Sequence, residues 1–129
     1  MTLSTNKALI GSFIDDIFNK HDISTIKKYF VEDSKTGNVG FKQFLCALFK
    51  AFPDMQTTIE HIVAENDIVM VFLKGTGTHS GEFRGKSLTN KKVNIRSADL
   101  YRIENGKVVG HSDVVDQLNM LYQTGTTLS

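Results

Sequence analysis

Residues 98–116, ADLYRIENGKVVGHSDVVD, decide the fold. Asn105-Gly106 lies between two apolar-rich runs and is the strongest hairpin signal in the chain. A type I′ turn needs positive φ at both central residues, and Asn-Gly accepts this at least cost. The turn joins a strand over Val93–Ile103 to a final strand over Lys107–Val115. Upstream, residues 80–91 (SGEFRGKSLTNK) hold two glycines and little hydrophobicity and read as a loop. Before it, Ile68–Thr78 is rich in Val, Met and Phe and forms a further strand. Glu65-Asn66-Asp67 is the turn that links it to a strand over residues 56–64.

The first third of the chain is helical. Ile10, Phe13, Ile14, Ile17 and Phe18 recur at the spacing of one apolar helical face, with Ser4 or Thr5 as cap. This helix fades at residues 19–22. A short second helix turns Ile23, Ile26 and Phe30 inward, with Asp22 or Ser24 as cap, and residues 31–38 are a loop. In the third helix Phe41, Phe44, Leu45, Leu48, Phe49 and Phe52 share one stripe. Pro53 ends it, because proline lacks the amide and disfavours helix in the residue before it. A short amphipathic tail closes the chain, with Leu118, Leu121 and Tyr122 apolar. Helices followed by four long antiparallel strands define an α+β fold, a single domain over residues 1–129. Periodicity alone leaves open whether the bent sheet encloses a pocket or a filled core.

Composition narrows the function classes. The formal net charge is +1, from 15 basic and 14 acidic residues interspersed along the chain, which gives no electrostatic basis for binding nucleic acid or an anionic membrane. No apolar stretch approaches the ~20 residues of a membrane span, and the start lacks the pattern of a secretory signal. Cytoplasmic residence is the expectation that rests on these absences. Cys46 is the single cysteine and lies at the edge of the helical stripe, as a packing thiol would. His21, His61, His79 and His111 are scattered singly, so no metal site is expected. Walker, GxGxxG, HExxH and GxSxG motifs are absent.

The chemistry-bearing stretch is Gly110-His111-Ser112-Asp113, a polar patch between Val108-Val109 and Val114-Val115. A carboxylate in a dry pocket gains proton affinity and becomes an acid/base group; one met by an arginine or by water is structural. Both readings stand on the pattern alone. If Asn105-Gly106 is a two-residue loop with unbroken pairing, Asp113 lies opposite Ala98. It then shares a face with Val109, His111, Val115, Arg96 and Leu100, while Asp99 and Tyr101 point the other way unless a β-bulge shifts the register. In that register Arg96 sits diagonally from Asp113.

Four segments together resemble the SnoaL-like polyketide cyclases, the ester cyclase-like group of the nuclear-transport-factor-like superfamily. They are residues 6–30 (NKALIGSFIDDIFNKHDISTIKKYF), 40–55 (GFKQFLCALFKAFPDM), 77–93 (GTHSGEFRGKSLTNKKV) and 99–121 (DLYRIENGKVVGHSDVVDQLNML). The resemblance implies a cone-shaped, curved antiparallel sheet packed on N-terminal helices around a pocket, commonly as a homodimer. It also implies aldol-type cyclisation or isomerisation of a small, mostly apolar or aromatic carbonyl compound, without metal or cofactor. By motif position Asp113 is the implied acid/base and His111 its assistant. Arg96, Asp99, Phe49 and Val115 are the expected pocket residues. The chain departs from the family pattern twice. Ser112 stands where the family shows Trp, and residues 31–40 (VEDSKTGNVG) lack the family's histidine. The same fold also carries non-catalytic binding and dimeric structural domains, which is the alternative function.

Overall fold

The computed structural model describes residues 2–31, 38–83 and 87–125. Helix α1 spans Leu3–Phe13. Its cap is Thr2, not Ser4 or Thr5: the extended Thr2 accepts a 3.0 Å hydrogen bond from the Thr5 amide. The helix continues as a π-helical segment, Ile14–Asn19. This wider winding lets the apolar face follow the core across the junction, and Ile10, Phe13, Ile14 and Ile17 are all 0–1% exposed. The chain then breaks at His21, whose φ is +56°. Its ring stacks on Phe49 at 4.1 Å, and Nε2 lies 2.9 Å from the Met55 carbonyl oxygen.

A single 3₁₀ turn, Ile23–Thr25, leads into α2, Ile26–Tyr29. Ile26, Tyr29 and Phe30 are buried there. The Asp22 carboxylate accepts from the Ser24 hydroxyl and does not cap the turn's backbone. Most of the predicted loop at 31–38 lies outside the described residues. Helix α3 covers Asn38–Ala51 and buries Leu45, Leu48 and Ala51.

Strands β1 (Gln56–Glu65), β2 (Ile68–Thr78), β3 (Lys92–Glu104) and β4 (Lys107–Val115) form one antiparallel sheet in sequence order. Asn66, Asn105 and Gly106 all have positive φ, so the expected hairpin turns form where the sequence places them. On the inner face Val69, Val71, Leu73, Tyr101, Ile103 and Val108 meet the helices. Phe13 is central: its ring lies 5.1–5.9 Å from those of Phe18, Tyr29, Phe30 and Tyr101. Parallel pairing of Phe30 with Val108, with the Val31 amide bonded to the Val108 carbonyl at 3.0 Å, ties the exit of α2 to β4.

The register of β4 on β3 departs from the unbroken count. Glu104 pairs with Lys107 and Ile103 with Val108, but Arg102 pairs with Gly110. Val109 is the extra residue of a β-bulge. Beyond it Tyr101 faces His111, Asp99 faces Asp113 and Ser97 faces Val115. The consequence inverts the expected grouping. Asp99 joins Asp113 on the inner face, and Arg96, Ala98 and Leu100 move to the outer one. The physical cause is the core itself. Val108 must point inward against Phe30, and without an extra residue His111 and Asp113 would be forced outward.

Helix α4, Gln117–Gln123, is capped by Asp116, which accepts from the Asn119 amide. Met120 is its buried residue; Leu118 and Tyr122 are exposed, contrary to the expected apolar face. The Leu121 side chain lies outside the described residues. The Gln123 amide bonds both the N–H and the C=O of Asn94, docking the helix on β3. Met120 completes a second core cluster with Leu48, Ala51, Phe52, Met55 and Val93. No helix among the described residues is long and apolar enough to cross a membrane.

Because Phe13 joins both helices to the sheet, Phe13→Ala is expected to destabilise the protein by about 3–5 kcal/mol. Denaturant unfolding with an unchanged slope and a lowered midpoint checks this.

Candidate active site

A cavity of about 110 Å³ lies between the two core clusters on the inner face of the sheet. Its walls divide by chemistry. From the helices and β1–β2 come Phe18, Phe41, Phe44, Leu48, Met55 and Leu73. From β3 and β4 come Ser97, Asp99, Tyr101, His111 and Asp113. Five polar side chains thus form a stripe across two paired strands, with Thr57 of β1 and Gln117 of α4 as further polar lining and an apolar wall opposite. This is the plan of a small-molecule site, where apolar surface supplies affinity and a few polar groups fix orientation.

Asp99 is the most constrained member. It is 6% exposed. Oδ2 accepts a 3.1 Å hydrogen bond from the Tyr101 hydroxyl, while Oδ1 is buried with no hydrogen-bond partner. Burial raises its pKa, the Tyr101 and Ser97 hydroxyls offset part of that rise, and the facing Asp113 adds to it; the outcome is about 6. Tyr101, 2% exposed, is pushed well above its ordinary value by burial and by the neighbouring Asp99. Asp113 stands directly across the strand pair, lines the cavity and is exposed. His111 stacks on Tyr101 at 6.2 Å and lies 5.7 and 5.3 Å from the rings of Phe30 and Phe41.

Of the residues expected at the site, the structure brings Asp113, His111, Asp99 and Val115 together on the cavity wall. Arg96 is not among them. It lies on the outer face, opposite Lys74, with its guanidinium 4.8 Å above the Phe72 ring. The bulge at Val109 is the reason, and no Arg96–Asp113 pair forms. Phe49 is also displaced: it turns from the cavity to stack on His21 and to meet Phe18 edge-on. Sequence reasoning missed the stripe's other members, Ser97 and Tyr101. Their signal was present in β3, where Val93, Ile95, Tyr101 and Ile103 make the odd positions apolar and so mark the inner face.

His79, left open between rim and surface, is 2% exposed. Its Nδ1 lies 3.0 Å from the Thr89 hydroxyl, its ring stacks on Phe52, and Nε2 has no hydrogen-bond partner. It is a packing group between α3 and the loop and does not line the cavity. Among the described residues no group of His, Cys, Asp and Glu is arranged to hold a metal ion.

The profile of the SnoaL-like polyketide cyclases matches residues 8–124. The chain belongs to this family. Among solved structures, AclR from Streptomyces galilaeus, described as a candidate hydroxylase, is 30% identical; the match covers 99% of this chain and 85% of AclR, with a TM-score of 0.88. IdmH from Streptomyces antibioticus, described as a candidate polyketide cyclase, is 24% identical over 94% of this chain and 99% of its own, with a TM-score of 0.80. TsrD from Streptomyces laurentii shares the fold at 18% identity, over 98% and 99% of the two chains, with a TM-score of 0.88. No curated protein matches the sequence.

Burial of Asp99 has a measurable cost in stability. Its proton affinity is higher in the folded than in the unfolded chain, so the folded state is favoured below pH 3.8 and loses that advantage as pH rises through about 6. Asp99→Asn keeps the Tyr101 hydrogen bond and removes the buried charge. The variant is expected to gain about 2–3 kcal/mol over the wild type at neutral pH and nothing in acid. Paired denaturation curves across pH check the sign.

Proposed function

We propose that the protein is a cofactor-independent enzyme that moves a proton on a small, mostly apolar carbonyl compound, leading to aldol-type ring closure or isomerisation. The observation that carries this reading is the pair of facing carboxylates, Asp99 and Asp113, set in the polar wall of a largely apolar cavity. Asp113, the exposed member of the pair, takes a proton from the carbon beside the carbonyl. The carbon–hydrogen electron pair becomes the enolate double bond. The enolate carbon attacks a second carbonyl carbon of the same molecule, a carbon–carbon bond forms, and Asp113 returns its proton to the new alkoxide. Protons and electrons balance without any added reagent. His111, fixed against Tyr101, Phe30 and Phe41, presents an imidazole to the same space and assists by hydrogen bonding.

The chemistry is tested with acetophenone in deuterium oxide. Wild type is expected to speed exchange of the methyl hydrogens, read by mass spectrometry, and Asp113→Asn to lower the rate at least ~100-fold. Saturable ligand binding with no exchange in the wild type would support a non-catalytic binding domain instead. AclR's description as a candidate hydroxylase motivates a second reading, oxidation of the same carbanion; dioxygen consumption distinguishes it.

We also infer a homodimer formed through the outer face of the sheet. There Val63 (60% exposed), Met70 (41%) and Val114 (75%) lie around the half-buried Phe72, Ala98 and Leu100, an apolar surface that a monomer would leave in water. A second copy of the same face covers it by two-fold symmetry. Light scattering is expected to give twice the chain mass for wild type and a shift to monomer for Val114→Lys.

A further inference from the structure

Gly75 and Gly77 stand on the inner face of β2, and packing explains only one of them. At Gly77 a Cβ would come within 3.3 Å of the Phe52 Cβ, 3.4 Å of an Asp54 carboxylate oxygen and 3.5 Å of the Met55 Cα. Glycine there lets the chain between α3 and β1 lie close against the strand. Gly75 has no such neighbour. Its Cβ would meet the Ile95 carbonyl oxygen at 3.7 Å, the Thr57 hydroxyl oxygen at 3.8 Å and the Met55 sulfur at 4.0 Å, all ordinary contact distances. Its backbone is not left-handed, as those of Gly106 and Gly125 are. Pairing runs unbroken through it, to Thr57 on one side and Ile95 on the other, so no bulge calls for it. A glycine inside a strand weakens that strand unless something approaches its bare backbone.

Gly75 is part of the cavity wall. Met55 and Ile95 beside it pack in the second core cluster, whose Leu48 and Met120 also line the cavity. Ile95, its partner on β3, lies four residues before Asp99, a distance of about 13 Å along the strand. The cavity thus runs from the facing carboxylates to the backbone of Gly75.

We propose that Gly75 is a specificity-determining residue: the space over its Cα receives the apolar far end of an elongated, flat aryl ketone whose carbonyl group lies at Asp113. The inference rests on the proton-transfer reading for the direction of the ligand, and adds the ligand's length and the residue that permits it. A one-ring ketone held at Asp113 does not reach Gly75; three rings fused in line do. The Met55 sulfur beside the vacant Cβ position suits an aromatic edge. A side chain at position 75 would shorten the cavity at this end and leave Asp113, His111 and Tyr101 untouched.

Equilibrium dialysis on the intact protein compares acetophenone with 2-acetylanthracene, the same ketone on three fused rings. Wild type is expected to bind the longer ketone at least ~10-fold more tightly. Gly75→Val is expected to remove that preference, lowering affinity for 2-acetylanthracene at least ~10-fold more than for acetophenone. Gly75→Ala should lose part of the preference while its Tm rises by about 2–4 °C, because alanine suits a strand better and its methyl meets no clash. Should Gly75→Val fail to fold, the alanine variant decides. A lowered Tm in Gly75→Ala means that the sheet itself needs glycine, and overturns the proposal. Equal losses for the two ketones, or none, overturn it as well. Gly77→Ala is the counterpart, expected to lower Tm and keep the wild-type preference; loss of the preference there overturns the assignment to Gly75. Hydrogen exchange of the bound ketones in deuterium oxide separates the two readings. Length preference without exchange overturns proton transfer and leaves the Gly75 subsite standing, and exchange without length preference does the reverse. A wild type that binds neither ketone overturns both.

Discussion

Val108 and Val109 occupy a length of β4 that the facing strand crosses in the single step from Ile103 to Arg102. One extra residue at this point sets most of what the molecule can do. It lets Val108 pack against the helical core and still presents His111, Asp113 and Val115 to the cavity. A strand of strict alternation cannot do both, since positions 108 and 111 differ by an odd number. With the bulge, β4 is a core strand at its start and a site strand at its end. The tie of Phe30 and Val31 to Val108 holds the first part, so the shift is absorbed at Val109 and Gly110.

The electrostatics of the site follow from that register. Two aspartates directly opposed on one face would be an unusual pairing in a sheet built for stability alone, where like charges across a strand pair destabilise. The protein separates them by depth. Asp99 is buried in the cavity wall, which raises its pKa; Asp113 is exposed. Two identical side chains thereby stand in different surroundings, the arrangement by which a pair of carboxyl groups can divide acid from base. The cost is borne by packing elsewhere, above all by the aromatic contacts around Phe13.

The sequence made the elements legible because their signals are local. Asn105-Gly106 forces a hairpin by backbone sterics, Pro53 ends α3 by removing an amide, and the Phe and Ile spacing of the helices survives any detail of tertiary packing. Four strands in sequence order then leave few ways to build the sheet. What escaped was decided between elements. Arg96 was placed beside Asp113 by counting residues from the turn, and a count cannot register a bulge that appears only when Val108 meets Phe30. Phe49, expected in the pocket, shares a helical stripe with Phe44 and Leu48. The stripe is wide enough that its edge faces His21 instead, and His21 is there because the chain breaks at a positive φ. In α4 the buried residue is Met120 and not Leu118, since Gln123 and Asp116 set the helix rotation through polar contacts with β3.

The departures from the family pattern bear on substrate more than on chemistry. Ser112, in place of the family's tryptophan, falls on the outer face beside Leu100, because the bulge turns only His111 and Asp113 inward. Its replacement therefore leaves the carboxylate wall intact and changes the outer face of the sheet. Phe41 and Phe44 on α3 take up space along the apolar wall beside Phe18. An apolar wall of this kind holds a flat ring without directing it. Direction comes from the polar groups of β3 and β4, Ser97, Asp99, Tyr101, His111 and Asp113. Depth then separates the two carboxylates of that stripe: Asp99 is buried, and Asp113, directly opposite on the next strand, is exposed.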